Sequence, residues 1–123
     1  MNKIIQILRR GMIQSSVQGN ATSQEVLPGQ NILVPVEMNT QKMTLKTIDV
    51  VSNKDADFYV EIYETASMSK SMYNSDIVTG RNYDIVDMVY ISQEPSTKCY
   101  VYIVNKSEYP MIFDIMIRGL ELQ

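Results

Sequence analysis

Residues 98–105 read Lys98-Cys99-Tyr100-Val101-Tyr102-Ile103-Val104-Asn105. Cys99, Val101 and Ile103 alternate with Tyr100, Tyr102 and Val104. Successive side chains of a strand point to opposite faces, so this period of two describes a strand with one apolar face and one aromatic face. The same alternation recurs at residues 57–64, where Phe58, Val60 and Ile62 oppose Tyr59, Glu61 and Tyr63. It returns near the end, where Phe113, Ile115 and Ile117 oppose Asp114, Met116 and Arg118 before the chain closes at Leu120 and Leu122. Upstream, Ile32, Val34, Val36 and Met38 share one face of a run that contains Pro35. Proline cannot donate to a ladder, so this run is expected at a sheet edge.

Between these runs the turn chemistry is plain. Gln41-Lys42 reads as a turn, after which Met43, Leu45 and Thr47 begin a strand whose apolar set changes face toward Ile48 and Val50. Residues 52–57 (Ser-Asn-Lys-Asp-Ala-Asp) form a polar turn, as do Gly80-Arg81-Asn82, residues 93–97 around Pro95, and residues 105–110. Residues 65–74 lack a period and read as a loop. Residues 84–91 carry Ile85, Val86, Met88, Val89, Tyr90 and Ile91 almost without interruption, which predicts a strand covered on both faces. About seven to nine short strands at spacings of about 8–14 residues give an all-β fold, an antiparallel β-sandwich of jelly-roll-like type.

Helical signal is thin. Ile4, Ile5 and Leu8 would share a helical face within residues 2–10, which form either one short helix or a strand-like arm. Residues 11–31 are rich in Ser, Gln, Asn, Gly and Thr and read as an extended segment ending in a turn at Pro28-Gly29. The expected organisation is an extended N-terminal arm over residues 1–30 and one sandwich domain over residues 31–123. A chain of 123 residues has room for one such core.

Much chemistry is excluded by composition. The chain has no histidine, which removes histidine acid–base catalysis, Ser-His-Asp and Cys-His nucleophiles, and His-containing zinc sites. The single cysteine, Cys99, lies in an apolar alternating run and reads as a small buried hydrophobe. No phosphate-binding or dinucleotide-binding glycine motif occurs. Asp84 with Asp87 and Glu61 with Glu64 are the carboxylate pairs nearest to a glycosidase pattern, and they read as solvated charges. Asn53, Asp55 and Asp57 open like a calcium loop, but the glycine and closing glutamate of that loop do not follow. The expectation is a non-enzymatic protein without cofactor or metal.

The net charge is −3 and the only basic pair is Arg9-Arg10, so no nucleic-acid partner is expected. The opening apolar run is broken by Gln6 and ends at two arginines, and no stretch of about 20 apolar residues exists. Neither export by a secretory leader nor a membrane span is expected. Asn20-Ala21-Thr22 and Asn105-Lys106-Ser107 match the N-glycosylation pattern, which carries little weight without a leader.

Eight tyrosines and nine methionines stand out. Tyr59 and Tyr63 share one strand face, and Tyr100 and Tyr102 share another. If those strands are neighbours, all four form one outward aromatic patch suited to a partner or a sugar. The plainer reading is that tyrosine suits strands. The methionines read as core filling.

The order of these strands resembles a known group. Asp57-Phe58-Tyr59-Val60-Glu61-Ile62-Tyr63-Glu64 is followed by a polar loop, then by Arg81-Asn82-Tyr83-Asp84-Ile85-Val86-Asp87-Met88-Val89-Tyr90. Residues 98–106 and then Phe113-Asp114-Ile115-Met116-Ile117-Arg118-Gly119-Leu120-Glu121-Leu122 complete it. Over roughly residues 44–122 this looks like the small β-sandwich modules of tailed-bacteriophage structural proteins, of tail, baseplate, fibre or head-decoration type. Related sandwiches occur in carbohydrate-binding modules. In the phage modules a strand ending in an Asn-centred turn, here Val101 to Asn105, leads into a final alternating strand. The chain has Ser92-Gln93-Glu94-Pro95 where acidic and aromatic residues are expected, so no sugar site carries over.

The resemblance implies a virion structural protein, assembled in the host cytoplasm and present in many copies. It would dock through its arm, with Ile4, Ile5, Leu8, Arg9 and Arg10 as the contact residues, onto other virion proteins and onto itself in a homo-oligomer or symmetric array. Head or tail location stays open. The alternative is a carbohydrate-binding module or adhesin that meets a surface glycan through Tyr59, Tyr63, Tyr100 and Tyr102.

Overall fold

A computed structural model describes residues 16–40, 42–69, 71–91 and 98–121. Among them are nine strands: β1 (Ser16–Thr22), β2 (Asn31–Glu37), β3 (Lys42–Ser52), β4 (Asp57–Tyr63), β5 (Ser71–Asn74), β6 (Val78–Thr79), β7 (Arg81–Ile91), β8 (Lys98–Asn105) and β9 (Phe113–Glu121). No helix occurs among the described residues, so none there is long and apolar enough to cross a membrane. The all-β expectation holds.

The strands form two antiparallel sheets. One has the order β1-β9-β3-β7, and the other β2-β8-β4-β5 with β6 beside β5 on the same edge of β4. Most connections cross from one sheet to the other, which is jelly-roll connectivity. The core lies between the sheets. Val34, Val36, Phe58, Val60, Ile62, Cys99, Val101 and Ile103 enter it from one side. Met43, Leu45, Ile48, Val50, Phe113, Ile115 and Ile117 enter from the other. Met38, Met72 and Met111 fill the ends, where an unbranched side chain adapts to irregular space. β2 sits at an edge, as Pro35 required.

The change of face in β3 has a structural cause. Opposite β9, Leu45 pairs with Gly119 and Thr47 with Arg118, which leaves Lys46 as an extra residue. Opposite β7, Leu45 pairs with Met88 and Thr47 with Ile85, so Val86 and Asp87 face Lys46 together. One inserted residue flips the following side chains, which takes the buried set from Met43 and Leu45 to Ile48 and Val50. Asp87 sits at φ 48°, and its carboxylate pairs with Lys46 across the bulge.

Three expectations are corrected. Ser16–Thr22, expected in the arm, is a full strand paired along its length with β9, and Val26 bridges to Met111. The segment shows no apolar alternation because its inward residues are small. Val17 and Ala21 are half-buried, and a Cβ on Gly19 would lie 2.7 Å from the carbonyl oxygen of Glu37. The sandwich closes there by close approach of β1 to β2. Residues 65–74, expected as loop, include the short strand β5. Residues 84–91, expected to be covered on both faces, belong to β7 at the edge of their sheet. The outward residues Ile85 and Val89 there are 72% and 60% exposed.

Candidate functional site

The described residues present two surfaces of interest, one on the outer face of each sheet. β8 pairs with β4, setting Tyr63 opposite Tyr100 and Glu61 opposite Tyr102. On its other side β8 pairs with β2, setting Leu33 opposite Tyr102 and Pro35 opposite Tyr100. Tyr59, Tyr63, Tyr100 and Tyr102 therefore lie on one outer face, all half-buried. Phe58, Val60, Ile62, Cys99, Val101 and Ile103 fill the core behind them.

Polar groups fix this face. The Tyr63 hydroxyl donates to the Glu61 carboxylate, and the ammonium of Lys106 lies 5.5 Å from the Tyr59 ring centre. The bond to Glu61 pushes the Tyr63 phenol up to about 12, with burial adding to it. Burial also pushes Tyr102 up. The face offers aromatic area and hydrogen-bonding groups.

The second surface is the β7 edge. Its first half is latched to the other sheet. Asn82 Nδ2 donates to the Tyr73 hydroxyl at 3.1 Å, which donates to Asp84 at 2.6 Å. Burial first, then the bond to Asp84, pushes the Tyr73 phenol up to about 12. Arg81 grips Asp49 through two parallel bonds of 2.9 and 2.8 Å, which raises its own pKa, and lies over the ring of Tyr83. Beyond this latch Ile85 and Val89 stand bare on the outer face.

The turn after β8 is built around Asn105, which is fully buried. Its Nδ2 donates to the carbonyls of Val26 and Tyr109, and its Oδ1 accepts from the backbone and hydroxyl of Ser107. This holds the 105–111 turn against the strand connection that passes Val26.

Of the carboxylates singled out by sequence, Asp84, Asp87 and Asp57 are engaged separately. Asp84 accepts from Tyr73 and Asp87 pairs with Lys46, while Asp57 accepts from Thr79 and Asn53 from the amide of Ile112. Among the described residues no three His, Cys, Asp or Glu side chains are grouped to hold a metal ion. Two open grooves of about 470 and 370 Å³ run over the outer face of β1, β9 and β3, past Lys46 and Arg118 and past Asp49 and Asp114. Ile4, Ile5, Leu8, Arg9 and Arg10 lie outside the described residues.

No family model and no curated protein sequence matches the chain. Among solved structures, a chain of the cyanophage Pam1 capsid asymmetric unit superposes on 87% of this chain and 84% of its own length, with a TM-score of 0.50 and 7% identity. PirA superposes on 79% of this chain and 90% of its own, with a TM-score of 0.43 and 10% identity. At 7% identity the likeness to the Pam1 chain is one of fold.

Proposed function

We propose that this chain is a non-enzymatic structural protein of a bacteriophage or phage-like particle, which docks through the residues before β1 and displays the sandwich. The observation that carries the reading is the likeness to the Pam1 capsid chain. It runs over more than four-fifths of both chains, so the sandwich accounts for most of each. Jelly rolls recur in capsid proteins, and a fold alone does not assign a role. The surface chemistry points the same way. The chain lacks histidine, and Asp84 and Asp87 serve a latch and a bulge. Its partners on this reading are other virion proteins and further copies of itself, and its location is the virion. Mass spectrometry of purified particles tests it. Many copies per particle are expected, and absence from particles made by cells that express the chain would sink the reading.

The four-tyrosine face favours a second reading, a module that binds a surface glycan, since jelly rolls recur in lectins as well. On that reading Tyr100→Ala or Tyr59→Ala weakens retention on a glycan array without unfolding the chain. An array with no bound glycan at all removes it.

A further inference from the structure

We infer that the outer edge of β7 is the acceptor for the apolar, basic segment before β1 of a second copy of this chain, added as a further strand. The inference rests on the docking role proposed for that segment and names its partner surface.

Three observations meet at this edge. The first is the mismatch between sequence and burial in β7. Its apolar residues run almost without interruption, as in a strand covered on both faces, yet Ile85 and Val89 are 72% and 60% exposed. A neighbouring strand with apolar outward side chains would shield them in part. The second is edge geometry. The edge strands β1 and β2 have 7 residues each and approach one another closely at Gly19, and β5 at the edge of the second sheet has only 4 residues. β7 has 11 residues and pairs only with β3 among the described strands. A long edge with bare apolar residues is a template for strand addition.

The third observation chooses the occupant. Lys3, Arg9 and Arg10 give residues 1–15 three of the chain's eleven cations and none of its fourteen carboxylates. Residues 16–123 keep eight cations against fourteen carboxylates, a net charge of −6. On β7 itself Asp84 and Asp87 are exposed. If two β7 edges paired with each other, carboxylates would be brought against carboxylates. A segment reading Ile4-Ile5-Gln6-Ile7-Leu8-Arg9-Arg10 brings apolar side chains to Ile85 and Val89 and cations to Asp84, whose partner, the Tyr73 hydroxyl, is neutral, whereas Asp87 is already paired with Lys46. The same charges that blunt the edge against its own kind admit this segment. A second copy is the better donor because the segment joins β1 at the far end of the β1-β9-β3-β7 order, about four strand spacings of about 4.8 Å from a strand added to β7, which residues 11–15 would cover only if fully extended. Head-to-tail donation of this kind generates a ring or an open array.

The test uses full-length chains and sedimentation velocity. A donor-deficient chain carries Ile4→Asn and Leu8→Asn. An acceptor-deficient chain carries Ile85→Lys and Val89→Lys, at positions exposed enough to leave the core untouched. Circular dichroism checks the fold, and Val89→Lys alone replaces the pair if the double variant unfolds. The wild-type chain is expected to sediment as an oligomer and each variant alone as a monomer. A mixture of the two is expected to restore a one-to-one dimer, because it supplies one intact donor and one intact acceptor. A wild-type chain that stays monomeric, an acceptor-deficient chain that still assembles, or a mixture that fails to associate each overturns the inference. If that variant still enters particles in wild-type copy number, the acceptor is elsewhere and the virion reading survives. If the chain is absent from particles but the mixture associates, the virion reading fails and the acceptor stands.

Discussion

Phe58 on β4 and Phe113 on β9 meet edge to face across the sandwich, with ring centres 4.9 Å apart and planes inclined at 61°. Each comes from a different sheet, and neither is exposed to solvent. The contact joins the two layers at the end where β4 meets Asn105 and β9 meets Ser52.

A double-mutant cycle on this pair measures how far it acts as one unit. Phe58→Leu and Phe113→Leu each keep an apolar side chain and remove the ring contact. The coupling energy from denaturant unfolding is expected at about 0.5–1.5 kcal/mol, the range for aromatic pairs beyond simple burial. Strict additivity of the two losses would mean that the rings fill volume and nothing more.

Asn105 carries more of the architecture than its polarity suggests. Its side chain serves two carbonyls and the Ser107 amide and hydroxyl from a fully buried position. Asn105→Ala leaves buried partners unpaired, and the expected cost is about 2–3 kcal/mol. Equilibrium unfolding in urea checks it. A loss below the error of the extrapolation would show that water replaces the side chain without penalty.

The alternating strands β4, β8 and β9 were legible because each puts apolar residues on one face and polar or aromatic residues on the other. The bulge in β3 was legible too, as the step from Met43 and Leu45 to Ile48 and Val50, since an inserted residue leaves that trace in the pattern. β1 was not legible. A strand that works by close approach has Gly19 and Ala21 where a reader looks for Val or Ile. The edge position of β7 was hidden for the opposite reason, because exposed apolar residues write the same signal as buried ones. The shared face of the tyrosines followed once β4 and β8 proved to be neighbours. The Asn82–Tyr73–Asp84 latch pairs residues from different sheets, and no local pattern marks it.

Gly19 tests the closure of β1 on β2 directly. A Cβ there would lie 2.7 Å from the backbone oxygen of Glu37 and 2.5 Å from the Met38 sulfur. The methionine can move aside, but the backbone cannot without shifting β2. Gly19→Ala is expected to cost about 1–3 kcal/mol. The β1 amides should lose hydrogen-exchange protection before those of β3. Unchanged protection across β1 would show that the two strands separate freely.

Tyr63 and Glu61 link the aromatic face to stability at alkaline pH. The Tyr63 hydroxyl donates to the Glu61 carboxylate, and that bond, with burial and the nearby phenols behind it, moves its pKa from 10.0 to about 12. Tyr73 reaches about 12 mainly through burial, with Asp84 second. In the unfolded chain both phenols ionise near the ordinary value. Between that value and 12 the unfolded state therefore binds fewer protons than the folded state. The stabilisation is complete below the unfolded value and is lost as pH rises through the folded one. Ultraviolet difference titration of the folded chain is expected to show a late-ionising group of tyrosines. Glu61→Gln removes the charged acceptor and should return Tyr63 toward its ordinary value, while Tyr73 stays late. A titration curve that Glu61→Gln leaves unmoved would mean that the bond between the two side chains is not held in solution.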